Sequence, residues 1–68
     1  MGVFLTKEVV ENMTDEELVN IFYEESGIYD EEVMREICHR AEMDEEWEKA
    51  DGETFVRVVQ NACFTLGF

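Results

Sequence analysis

The sequence contains no proline, two cysteines, a single histidine and only five lysines and arginines in 68 residues. Each scarcity excludes something. Without proline, a low-complexity stretch or an internal repeat, nothing marks a linker, and residues 1–68 are expected to form one domain. Cys38 and Cys63 are too few for a disulfide scaffold. Together with the missing secretory apolar segment they point to a reducing, cytoplasmic compartment. No apolar run approaches the roughly 18 residues of a membrane span.

The shortage of cations is the sharpest of these absences. Eighteen Asp and Glu against five Lys and Arg give a formal charge of −13. Direct binding to DNA or RNA is disfavoured because phosphate contacts need a basic footprint. An anionic membrane repels such a chain for the same reason. Met1-Gly2-Val3-Phe4-Leu5-Thr6 matches the loose N-myristoylation pattern. It has no basic patch to supply a second membrane signal, so it is read as a lead-in to the first helix.

What is present is apolar and periodic. Hydrophobic residues make up 46% of the chain and fall on helical faces, which argues for a folded domain despite the charge. A domain this small buries only about 60% of its unfolded surface. A homodimer, or folding against a partner, is one expected source of additional burial.

The helix starts are written locally. Thr6 is placed to cap a short helix ending near Asn12 or Met13, with Leu5 and Val10 as a hydrophobic staple. Thr14-Asp15-Glu16-Glu17 forms a capping box, flanked by Met13 and Leu18, and Leu18, Val19, Ile21 and Phe22 make the stripe behind it. Ser26-Gly27 ends that helix, with Ile28 folding back. Asp30 caps a third helix, stapled by Tyr29 and Met34, whose face is Val33, Met34, Ile37 and Ala41. Continuing that face would bury Asp44, so this helix should stop near Glu42 or Met43, with a short helical turn beginning at Asp44.

Asp51-Gly52 is a hairpin signal only between alternating apolar residues. Here Phe55, Val56, Val58, Val59, Ala62, Cys63 and Leu66 cover a helical arc instead, with Gly67 as the stop. As the most apolar helix, this one is expected to be the element around which the others pack. Phe64 falls among its polar residues. The expected fold is all-α: a small bundle of three main helices plus a short N-terminal helix.

No catalytic, cofactor-binding or metal-binding residues emerge. Glu36-x-x-His39 has di-iron spacing, but His39 lies nearly opposite the apolar face and Glu36 is also away from it. Cys38 and His39 are sequence neighbours and diverge by about 100° on a helix. Calcium-loop registers fail: counting from Asp44 puts Lys49 at the glycine position, and placing Gly52 there makes Trp47 the first ligand.

Many of the acids have an ordinary explanation. Those at 15–17, 30–32 and 44–46 sit at helix starts, where free amides favour negative charge by roughly 0.3–1 kcal/mol each. That accounts for their positions but not for the total, since solubility needs a net charge of only about 2 to 8 in magnitude. In size, acidity and the lack of catalytic groups, the chain resembles small phage or mobile-element inhibitors such as anti-restriction and anti-CRISPR proteins. That resemblance implies a non-catalytic decoy, mimicking nucleic acid, that occupies a basic site on a nucleic-acid-binding protein.

The residues placed on such a surface are Asp44, Glu45, Glu46, Trp47, Glu48, Asp51, Glu53 and Phe64. The alternative is a helical structural or regulatory subunit acting through an apolar interface, a homodimer included, anchored by Trp47, Tyr23 or Phe64.

Overall fold

A computed structural model describes residues 6–24 and 31–68. The Met1-Gly2 pattern, the Leu5 staple, the Ser26-Gly27 stop with Ile28, and the Asp30 cap with its Tyr29 staple fall outside the described residues. Within them the chain is helical, with no strand: α1 (Lys7–Glu11), α2 (Asp15–Glu24), α3 (Glu31–Arg40), α4 (Asp44–Lys49) and α5 (Phe55–Thr65). The radius of gyration is 11.0 Å, matching the value of about 11 Å for a compact chain of this length.

The caps read from sequence are made. The Thr6 Oγ1 accepts from the Val9 amide at 3.3 Å and starts α1. At α2 the Thr14 amide donates to Glu17 Oε1 at 2.9 Å, and the Glu17 amide donates to Thr14 Oγ1 at 3.2 Å. Asp51-Gly52 is a lead-in to α5 rather than a hairpin. Asp51 Oδ1 accepts from the Glu53 and Thr54 amides at 3.0 and 3.2 Å, while the Thr54 hydroxyl oxygen accepts from the Asp51 amide at 2.9 Å. Side-chain caps of this kind are worth about 0.5–2 kcal/mol each.

Two helices end alike, with different residues at the critical position. The α5 stop puts Gly67 at φ 98°, and the Phe68 amide bonds back to the Cys63 carbonyl at 3.0 Å. The α3 stop uses the same hydrogen-bond pattern, with Glu42 at φ 58° and the Met43 amide on the Cys38 carbonyl at 2.8 Å. A glutamate in the left-handed region carries the Cβ penalty that glycine avoids. Met43 closes α3 and also stands as the N-cap of α4, so the corner between the two helices is very short.

The core runs through every helix except α4. Leu18, Val33, Ile37, Val59 and Val10 are essentially inaccessible, each large side chain contributing about 1.5–3 kcal/mol of burial. The expectation that α5 is the hub is corrected: α3 packs against each of the other four helices. All of the projected α3 face is buried, together with Cys38. Of the α5 arc, only Val59, Ala62 and Cys63 are buried; Phe55, Val56, Val58 and Leu66 are half-covered. An apolar arc wider than its neighbours does not make a helix central. Helix α3 is central because Val33, Met34, Ile37, Cys38 and Ala41 are all buried, and on the side of α1 and α2 Arg40 adds ion pairs to that packing.

Candidate acidic interaction surface

Five cations serve eighteen carboxylates, and where those cations sit divides the molecule. Arg40, with 19% of its side chain exposed, is the best-connected of them. Its Nε donates to Glu36 Oε2 at 2.8 Å and its Nη1 to Asp15 Oδ1 at 2.8 Å. Its Nη2 reaches the Val10 and Glu11 carbonyls at the end of α1, at 3.4 and 3.2 Å. One guanidinium therefore joins α1, the first turn of α2, and α3. Burial works against its charge, but the bonds from Glu36 and Asp15 more than offset this and hold its pKa above the ordinary value. Glu36 is correspondingly covered, at 16% side-chain exposure, rather than standing clear of the core side as its helical angle suggested.

Arg35 takes Glu31 and Glu32, at 3.2 and 3.5 Å, and Lys7 takes Glu11 at 4.0 Å. Among the helix-start acids of α2 and α3, Asp15, Glu31 and Glu32 meet a cation, Glu17 serves its cap and Glu16 does neither among the described residues. On α4 Asp44 meets His39, and Glu45 and Glu46 meet no cation among them. Between positions 42 and 53 stand seven acidic residues and one lysine, Lys49. Glu45, Glu46, Glu48 and Glu53 are exposed and engage no cation among the described residues.

Two carboxylates of the segment are occupied. Asp44 Oδ1 lies 2.9 Å from His39 Nδ1, both exposed, linking the end of α3 to the start of α4. That hydrogen bond, and then the Asp44 charge, raise the pKa of His39. Asp51 is held below the usual carboxylate value, chiefly by the Glu53 amide and then by Thr54.

Trp47 is neither fully tucked in nor free. It packs against the core and also lines an open cleft with Met34, Ala50 and Phe55. Phe64 is 82% exposed on α5 and is not among the cleft residues. The structure thus brings Trp47 and Asp51 together, surrounds them in sequence with the unpaired glutamates, and leaves Phe64 as a separate apolar feature.

The thiols show little reactive character. Burial, reinforced by Cys63, Asp44 and Glu46, pushes Cys38 up to about 11, and burial also raises Cys63. Both cysteines are free and buried. No three His, Cys, Asp or Glu side chains converge in metal-binding geometry among the described residues, and no helix among them is long and apolar enough to cross a membrane.

Sequence reasoning missed Arg40. Its local signal, Glu36 four residues earlier, is an ordinary helical pair. The contacts that make it matter lie 25 to 30 residues away. No family model, curated protein or solved structure matches the chain, so its reading rests on geometry and charge.

Proposed function

We propose that the chain is a protein-interaction module whose α4 segment presents an acidic surface to a basic site on a larger protein, a site of the kind that holds nucleic acid. One observation carries this: Glu45, Glu46, Glu48 and Glu53 crowd one short exposed segment without an ion pair among the described residues, whereas Glu11, Asp15, Glu31, Glu32 and Glu36 on α1, α2 and α3 each meet a cation. Like charges concentrated on a short helix cost stability, and a cationic partner relieves that cost. Association should be fast and salt-sensitive.

The test is capture from lysate at low and high salt with the wild-type chain and with the Glu45→Lys, Glu46→Lys, Glu48→Lys triple variant. The reading expects a nucleic-acid-binding protein, released by salt and by competing duplex DNA and not retained by the triple variant. Capture that survives both salt and charge reversal overturns it.

Phe64 supports a second reading, a helical subunit acting through an apolar interface, because a phenylalanine 82% exposed on an ordered helix is the kind of anchor interfaces use. Loss of a salt-stable dimer or complex in Phe64→Ala, with the charge reversals silent, would favour it.

A further inference from the structure

We infer that the cleft beside Trp47 seats an arginine side chain of the protein partner. This rests on the acidic-surface reading above and names the group that anchors there. The cleft holds about 390 Å³. It opens where the end of α4 (Trp47, Ala50) meets the lead-in to α5 (Asp51, Gly52, Phe55), and α3 closes it with Met34 and Glu31. Binding sites span roughly 300–1,000 Å³, so this one suits a single side chain better than a large ligand.

Its chemistry selects the occupant. Among the described residues the walls are an indole, a phenyl ring and a thioether, and the acids that line it are Glu31 and Asp51. A purely apolar group would leave the Asp51 charge without a cation, and an anion would be repelled by it and by the neighbouring glutamates. A cation with a flat apolar face satisfies both halves. Guanidinium is planar and weakly hydrated, stacks on aromatic rings and matches carboxylate geometry; ammonium is compact and strongly hydrated.

Asp51 is set up for this. Its Oδ1 accepts three bonds from its own turn, from the Glu53 amide, the Thr54 amide and the Thr54 hydroxyl. Those bonds fix the carboxylate without a cation, and Oδ2 takes part in none of them. Glu31 already accepts a guanidinium, that of Arg35 at 3.2 Å. Gly52 lines the cleft, and a Cβ built there meets no atom within 4 Å, so a larger side chain can be placed at this position without a clash.

Trp47 is the only tryptophan, so its emission reports on the cleft directly. The experiment titrates the full chain at low salt with capped hexa-arginine, hexalysine and hexacitrulline peptides, following Trp47 fluorescence and, independently, calorimetric heat. Hexa-arginine should shift the emission saturably and bind about three- to tenfold more tightly than hexalysine, with hexacitrulline silent. Gly52→Leu, checked for an unchanged circular dichroism spectrum, should fill the cleft and abolish the emission response while calorimetry still detects binding to the α4 glutamates.

Heat without an emission change, an undiminished response in folded Gly52→Leu, or equal responses to arginine and lysine peptides would overturn the cleft assignment and leave the acidic surface standing. Absence of any heat with either cationic peptide would remove both. Should Gly52→Leu fail to fold, Ala50→Leu on the other wall makes the same comparison.

Discussion

The junction of α1, α2 and α3 and the α4 segment are both rich in carboxylates, yet they use them in opposite ways. At the junction Asp15 and Glu36 converge on Arg40, and a polar flank of α3 is covered as a result. On α4 the glutamates stand in solvent and form no ion pair among the described residues, and the helix buries no residue fully. Negative charge is a fastening in the first region and a display in the second. The difference lies in where five cations were placed, not in the number of acids. It also shows why composition alone is a poor guide to stability in such a chain.

The largest expected effect comes from removing the fastening. Arg40→Met removes the donor that joins Asp15, Glu36 and the Glu11 carbonyl, and should cost about 2–3 kcal/mol. For a domain of this size that lowers Tm by roughly 10–20 °C. A melt lowered by less than about 4 °C would mean that the junction is held by apolar packing instead.

Next in size is the corner that aims α4. Glu42→Gly relieves a left-handed residue and should raise stability by about 1 kcal/mol, measurable as a higher urea midpoint at unchanged m-value. A fall in the midpoint would show that the glutamate side chain contributes something its backbone position conceals.

Neutralising the display should barely register. Glu45→Gln, Glu46→Gln and Glu48→Gln together are expected to shift stability by no more than about 0.5 kcal/mol. Asp15→Asn alone should destabilise clearly. If the two variants melt alike, the two regions do not differ as described.

The smallest effect is a pH dependence at the exposed His39–Asp44 pair. The folded pKa of His39 is raised, so the stability the pair contributes is fully present below the unfolded imidazole value of about 6.5. It is lost as pH rises through the folded value. The Tm difference between wild type and His39→Gln should therefore be widest in mild acid and close as pH increases. A difference that is constant across the scan would rule out the ionic contribution. Glu17 and Asp51 work in the other direction: their folded values are lowered, so their contribution is present above the unfolded carboxylate values and fades as pH falls through the folded ones.

How far the sequence reached follows from the range of each interaction. The caps at Thr6 and Thr14, and the stop at Gly67, are set by partners within about four residues and are legible in the sequence; the bonds that Asp51 makes in the turn before α5 are not. The α3 stop was placed near Glu42 or Met43 without its mechanism, because no glycine announces a left-handed glutamate. The centrality of α3 was not readable. It depends on contacts between distant parts of the chain, of which Arg40 meeting Asp15 across 25 residues is one, and helix apolarity points to α5 instead. The division of Trp47 between core contact and cleft depends on how Met34 and Phe55 approach it, which periodicity does not encode. Phe64 could be placed on the polar side of α5 by angle alone, and it is exposed there.

The reach of Arg40 to the last carbonyls of α1 has a consequence for how the molecule opens. Helix α1 has five residues and buries only Val10, so among the described residues the Arg40 guanidinium and this one valine are its main fastenings. Its amides should exchange with deuterium through a local detachment, well before those at the centre of α3, which are exposed only by global unfolding. Raising salt should speed the α1 exchange and leave the α3 exchange nearly unchanged, because only the former depends on a charge to keep it closed.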